Sequence, residues 1–327
     1  MLDFLLITVF GIVGVALIIK GADWLTDSIA HLAKAFAVSH AAIGLILVSA
    51  FLSLPEIIVA VSSILKGYPL IGLGTILGSV IINLGLIVGA SATIRDLKIS
   101  KITMLRDLSF MLAATIIVSL LILAEGELTR IDGLILVLIF IPYVLNVYQQ
   151  ERYISKKESV KEAKDAQEAL LLVGKTGLTF REHRGIAYFL AGGIMMIIGS
   201  MLFTDTLINY SKMFGISEMV IGITLGALGP SIPNLAAALQ ATRRGHTDLA
   251  VTETIGSNIF TMLISVGILS ILTPISIEHK VQIITIPALI FITLAFIFIS
   301  RTGKITKKGG FVLLGIYVIS VLAELLA

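Results

Sequence analysis

The chain contains no cysteine, which removes disulfides, thiolate metal sites and thiol nucleophiles together. Charge is scarce as well: 14% of the 327 residues are Asp, Glu, Lys or Arg, where a soluble domain carries about 25%. The five histidines, His31, His40, His183, His246 and His279, show no metal-ligand spacing. No glycine-rich loop ends in the Lys of a Walker motif, so nucleotide-driven chemistry is not expected. The net charge of +3 and pI near 9.0 do not point to nucleic acid, because basic residues of an apolar chain mark its loops. The first residues, Met1 to Leu6, lack the basic start of a cleaved signal peptide, and the first apolar run is expected to be retained.

What the chain does have is apolar sequence. Residues of the apolar class make up 57%, gathered in runs of roughly 20, the length that crosses a hydrocarbon core as a helix. The runs fall near 4–25, 41–65, 70–92, 104–124 and 131–149, then 185–208, 219–242, 248–272, 281–300 and 309–326. The expectation is an all-α integral membrane protein with ten transmembrane helices.

Residues 21 to 89 recur without a gap 178 positions later. Gly21 matches Gly199, Ser53 and Pro55 match Ser231 and Pro233, Gly67 matches Gly245, and Gly78-Ser79 matches Gly256-Ser257. Five spans per half is an odd number, so the second copy enters the membrane from the opposite side, giving two inverted five-helix repeats. The expected divisions are 1–149, with a first motif at about 43–90; a linker at 150–184; and 185–327, with a second motif at about 221–268. Of the 24 Lys and Arg, 19 lie in loops after odd-numbered spans and four after even-numbered ones. Positive residues stay cytoplasmic, which predicts termini facing outward and a cytoplasmic linker.

Polar residues inside spans cost several kcal/mol and need a reason. Glu56 follows Pro55 near the centre of the second span, where a proline frees backbone carbonyls. Carbonyls beside a carboxylate suit hard cations such as Na+ and Ca2+. The repeat sets Gly229-Pro230-Ser231-Ile232-Pro233-Asn234 opposite, with two prolines expected to break that helix more firmly. Thr75, Ser79 and Asn83 fall on one helical stripe, and their mates are Glu253, Ser257 and Thr261. Glu253 reads as a displaced ligand, a proton acceptor, or a partner of Arg243 or Arg244. Asp27 and Asp205, near span ends, read as helix-end residues rather than ligands.

These motifs resemble the calcium/cation antiporter superfamily, which includes the prokaryotic sodium/calcium exchangers. The likeness rests on Ser53-Leu54-Pro55-Glu56 with Gly78 to Asn83, and on Ser231-Ile232-Pro233-Asn234 with Gly256 to Thr261. The resemblance implies ions held by the second, third, seventh and eighth helices, with the first and sixth sliding past them. Carried over by position, it implies Glu56, Ser53, Ser79 and Asn83 as first-repeat ligands and Ser231 and Ser257 as second-repeat ligands. Ser49 and Ala227 match positions that offer backbone carbonyls. Asn234, Thr261 and Glu253 complete the expected site. Asn234 stands where these exchangers carry a second Glu, Thr261 where an Asp is frequent, and Leu52 and Pro230 where a Thr is usual.

The reading that follows is a secondary cation antiporter in the lipid bilayer, exchanging Ca2+ for Na+ or H+ by alternating access, with no enzymatic activity and no cofactor beyond the transported ions. With Glu56 as the clear carboxylate, a monovalent cation/proton antiporter is the alternative. A passive channel and an intramembrane serine hydrolase are further readings. The inverted symmetry disfavours the first and the lack of a histidine inside a span disfavours the second.

Overall fold

A computed structural model of the chain describes residues 2–35, 49–101, 103–151 and 186–326. The first half holds α1 (Leu2–Ala35), α2 (Leu54–Leu65), α3 (Pro69–Ile94), α4 (Thr103–Glu125) and α5 (Arg130–Glu151). The second holds α6 (Ile186–Phe214), α7 (Glu218–Arg244), α8 (247–272), α9 (Val281–Ser300) and α10 (Lys307–Leu326). Among the described residues, nine of these helices are long and apolar enough to cross a membrane. The shorter one is α2, because the expected span 41–65 begins in residues that lie outside the described ones. The expected linker likewise falls outside them, except at its first residues.

The 178-residue offset holds for backbone geometry as well as sequence. Helix α3 runs from Pro69–Ile82 through a π-helical turn, Asn83–Ile87, into Val88–Ile94. Helix α8 repeats this as Thr247–Phe260, Thr261–Ser265 and Val266–Leu272. Matching π turns open α4 at Thr103–Asp107 and α9 at Val281–Thr285. A π turn takes in one extra residue, so it re-aims the side chains around it, and such turns recur at functional sites.

Repeat-related helices run antiparallel. Gly14 of α1 lies against Gly199 of α6, while Gly21 lies against Gly192, so numbers rise on one helix as they fall on the other. Two short antiparallel ladders also join the halves. They pair β1 (Leu97–Lys98) with β4 (Lys304–Ile305), and β2 (Glu127–Leu128) with β3 (Ile275–Ser276).

Helix α3 is the most enclosed of the spans, with Leu73, Ile76, Leu77 and Val80 fully buried. The outer helices turn Ile12, Ile131 and Phe298 outward, a surface that suits hydrocarbon and not water. Between lipid-facing helices burial of apolar area drives little, so close packing has to do more. The α1–α6 seam shows it. A Cβ on Gly14 would meet the carbonyl oxygen of Gly199 and the amide of Phe203 at 2.8 Å. At Gly21 it would meet the Gly192 carbonyl at 2.6 Å.

Asp205 is half-exposed and pairs with Lys66 at 2.6 Å, but α6 runs on to Phe214, so the expected helix-end position is corrected to one inside the helix. The side chain of Asp27 lies outside the described residues.

The seam makes a direct prediction. Gly14→Val or Gly199→Val forces two backbones apart and should destabilise the fold by about 1–3 kcal/mol. Gly193→Ala, with no atom within 4 Å of the added carbon, should leave the unfolding temperature in detergent unchanged. Equal melting curves for all three would remove the seam from the account.

Candidate functional site

The site begins with an interruption. Residues 49–52 are helical, Ser53 forms a turn with φ −89° and ψ −2°, and α2 resumes at Leu54. Pro55 therefore sits in a first helical turn, where its missing N–H is not needed. Glu56 lies in the same turn, and the positive end of the helix dipole favours its carboxylate. In α7 the expectation of a firmer break is corrected, since the helix runs on from Ala227 to Arg244 with Pro230 and Pro233 inside it. The π turn Gly222–Gly226 immediately ahead widens the backbone and accommodates the proline rings.

Glu56 is buried, and its Oε1 accepts from Ser231 Oγ at 3.1 Å and from Asn234 Nδ2 at 3.3 Å. Both donors come from the other repeat. The second oxygen, Oε2, meets no donor. A second cluster lies alongside: Ser53 Oγ is 2.8 Å from Ser257 Oγ, and Thr261 Oγ1 donates to Ser53 Oγ at 3.5 Å. The pseudo-symmetric contact between Ser231 and Ser79 is not made. Ser231 turns to the carboxylate, and Ser79 donates back to the carbonyl of Ile76 at 2.8 Å.

The backbone positions are buried too. Helix α8 approaches the chain ahead of α2 at Gly256, where a Cβ would meet Ser49 Oγ at 2.6 Å; in the mirrored contact, one on Gly78 would meet Ala227 Cβ at 2.7 Å. The Ser49 carbonyl accepts from both the amide and the hydroxyl of Ser53, at 3.1 and 2.9 Å.

Glu253 is buried, with 7% of its surface exposed. It makes no ion pair with Arg243 or Arg244, which are exposed, and its Oε1 has no donor. The interface-pair reading of this residue is thereby corrected: one helical turn from Ser257, the side chain points into protein rather than out to the loop.

Asn83 and Thr261 each open a π turn, and both are buried. Asn83 Nδ2 donates to Asn258 Oδ1 at 2.8 Å, leaving Asn83 Oδ1 without a donor. Asn258 belongs to the second motif, but its type alone does not separate a ligand partner from helix packing. Three other buried acids, Asp23, Asp107 and Glu324, also went unnoticed in the sequence. Asp107 is held by its neighbour Arg106 at 2.7 and 3.0 Å, and Glu324 of α10 accepts from Thr285 of α9 at 2.6 Å.

Four buried acceptors without donors lie on residues of the expected site, Glu56 Oε2, Asn83 Oδ1, Asn234 Oδ1 and Glu253 Oε1, while others, such as Asn146 Oδ1 and Glu324 Oε2, lie elsewhere. Such atoms ask for a cation or a proton. Among the described residues no three His, Cys, Asp or Glu side chains converge. A site of neutral oxygens and few charges, closed by both halves of an inverted repeat, defines the chain as a membrane transporter for inorganic cations.

Comparison with known proteins agrees. The sodium/calcium exchanger protein family matches residues 6–149 and 184–326, and the chain belongs to that family. It is 29% identical over 316 residues to inner membrane protein YrbG of Escherichia coli strain K12, covering 94% of this chain and 95% of the relative. It is 28% identical over 336 residues to the sodium/calcium exchanger MaX1 of Methanosarcina acetivorans, covering 94% and 95%. The solved structure of the sodium-calcium exchanger NCX_Mj soaked with Na+ and Sr2+ superposes with a TM-score of 0.65 at 25% identity, covering 98% of each chain.

Glu56→Gln tests the site. The amide keeps an acceptor for Ser231 and Asn234 but removes the charge. Cation binding should weaken by roughly a hundredfold or more, while the protein remains folded. Binding measured by calorimetry within a few-fold of wild type would take Glu56 out of the site.

Proposed function

We propose that the chain is a secondary active antiporter that exchanges Ca2+ for Na+ or H+ by alternating access. The observation that carries this reading is the contact of Glu56 with Ser231 and Asn234 of the other repeat, with Glu56 Oε2 and Asn234 Oδ1 left without donors. Glu56, Ser53, Ser79, Asn83, Ser231, Asn234, Ser257, Thr261 and Glu253 form the ion site in this proposal, with the carbonyls of Ser49 and Ala227. Ser53 and Ser257 are bonded to each other, and Ser231 to Glu56; an entering cation replaces these bonds with its own.

Charge decides which ions fit. Ca2+ beside a single carboxylate leaves about one uncompensated charge, worth several kcal/mol in a site of low dielectric. Glu253 supplies the second negative charge in this reading, one turn along α8 from Ser257. When Ca2+ leaves, Na+ or H+ neutralises the same two carboxyl groups, which is the condition for exchange rather than leak.

A second reading has an observation of its own. Asn234 stands opposite Glu56 in the repeat and presents an N–H to it instead of a charge. That arrangement suits one monovalent cation or one proton, and so a monovalent cation/proton antiporter such as Na+/H+.

The orientation proposed has both termini outside the cell membrane and residues 150–184 in the cytoplasm, from the bias of 19 basic residues to one set of loops. The helices α1 and α6 form the moving unit.

Uptake of radioactive Ca2+ into vesicles under imposed Na+ and pH gradients separates the two readings. Ca2+ accumulation driven by either gradient is expected. Its absence under both, with intact Na+/H+ exchange, leaves the monovalent reading. Asn234→Glu should tighten Ca2+ binding about tenfold by adding a carboxylate; no gain means that Glu253 already supplies that charge.

A further inference from the structure

Resting on the ion site just proposed, a residue outside it controls how one of its ligands is presented. Asn258 is fully buried on α8, directly after Ser257, which bonds Ser53. Its Oδ1 accepts from Asn83 Nδ2 at 2.8 Å. The two atoms of this amide pair that remain, Asn83 Oδ1 and Asn258 Nδ2, have no partner.

Two carboxamides can be joined in either of two senses. In the observed sense the Asn83 nitrogen is consumed and its oxygen is left over. In the reverse sense Asn258 would donate, and Asn83 would present an N–H. A carbonyl oxygen binds a hard cation, and an N–H repels one. Whichever sense Asn258 enforces therefore decides whether Asn83 is a ligand.

The repeat shows that this arrangement is confined to one half. The mate of Asn258 is Val80, and the mate of Asn83 is Thr261. No second amide pair can form across the pseudo-symmetric position. Asn83 also opens a π turn, where the backbone has one residue too many for a regular helix and a side chain has more than one direction open to it. An unrestrained amide at such a place has no fixed end toward the ion.

We propose that Asn258 is a positioning residue for ion binding: it fixes the Asn83 carboxamide oxygen-outward, so that Oδ1 serves as a cation ligand. Either sense leaves one amide nitrogen and one oxygen unpartnered, Asn258 Nδ2 and Asn83 Oδ1 in the observed sense, Asn83 Nδ2 and Asn258 Oδ1 in the reverse. A bound cation at Asn83 Oδ1 partners the oxygen left over in the observed sense. The same amide pair thus favours its ligand-presenting sense when an ion is there to use it.

The alternative is that the pair merely joins α3 to α8, as polar side chains do in membrane bundles. Four variants separate the two roles: Asn258→Ala, Asn258→Asp, Asn83→Ala and the double Ala variant. Each is checked for folding by thermal unfolding in detergent, then titrated with Ca2+ and with Na+ in parallel. Asn258→Ala should weaken binding of the cation that wild type takes roughly tenfold, as loss of a ligand's outer partner does at metal sites. In vesicles it should raise KM while leaving the saturated rate little changed. Asn258→Asp, which keeps the acceptor, should retain affinity within about threefold. In the Asn83→Ala background, Asn258→Ala should cost no further affinity.

Unchanged affinity in Asn258→Ala overturns the assignment. So does an Asp variant that loses as much as Ala, or losses that add in the double variant, since a purely structural role would act through stability and not through Asn83. If Asn258→Ala does not fold, Asn258→Ser takes its place, its hydroxyl being too short to span the 2.8 Å contact from the same backbone. Wild-type protein that binds neither Ca2+ nor Na+ sinks the exchanger reading and this assignment with it. Wild-type binding with unaltered variants sinks the assignment alone.

Discussion

A buried carboxylate held by donors from the opposite repeat is the constraint on which the rest of this structure depends. Burying Glu56 costs several kcal/mol unless its charge is answered. Ser231 and Asn234 answer half of it, through a single oxygen. Neither donor carries a charge, so the carboxylate is stabilised enough to stay in place and not enough to be content. A lysine or arginine there would have made a permanent pair and closed the site to ions. The two halves of the chain are therefore joined at the proposed ion site, to which both repeats contribute.

The symmetry of the backbone and the asymmetry of the side chains do different work. Helices α3 and α8 follow one another residue for residue at an offset of 178, including the π turns that begin at Asn83 and Thr261. On that common frame Glu56 faces Asn234, Thr75 faces Glu253 and Val80 faces Asn258. Symmetric side chains would give symmetric contacts. Here Ser53 bonds Ser257 while its mate Ser231 turns to Glu56, because only one half has a carboxylate for a serine to serve. A second buried carboxyl lies on α8 at Glu253, one helical turn from Ser257.

Much of this was legible in the sequence, for identifiable reasons. The repeat fixed the inversion, because an odd number of spans permits nothing else, and the antiparallel glycine contacts between α1 and α6 bear it out. The polar positions were legible because a buried Ser, Asn or Glu in an apolar run has to be hydrogen-bonded or bind something. What could not be read was the direction of each bond. Whether Ser53 gives its proton to the Ser49 carbonyl or holds it for Ser257 depends on rotamers set by neighbouring helices. The π turn ahead of Pro230 was invisible for the same kind of reason. Proline chemistry predicts a break, and the structure instead has a π turn at Gly222–Gly226 followed by a helix that runs through both prolines.

Alternating access is consistent with where this molecule is tightly and loosely joined. Helices α1 and α6 touch backbone to backbone at two glycine pairs and are tied by Thr206 Oγ1 to the Ile7 carbonyl at 3.2 Å. Their contact with the remaining helices is of another kind. Ile18, Phe203 and Leu207 meet Val59, Ile71 and Ile221 in an apolar cluster with no directional bond to keep register. Among the described residues, the polar links across that boundary include Lys212 over the Tyr68 ring at 5.1 Å. Thr204 Oγ1 reaches the Val59 carbonyl at 3.4 Å, and Lys66 reaches Asp205 and the Met201 carbonyl at 2.6 and 3.0 Å. A partly exposed ion pair is worth about 0–1 kcal/mol, and a long hydrogen bond less. Displacing α1 and α6 as one body thus breaks little, whereas separating them breaks close packing that glycine alone permits. The boundary of least resistance runs between this pair and the helices that hold Glu56, which is where a fixed ion site needs it if the site is to face first one side of the membrane and then the other.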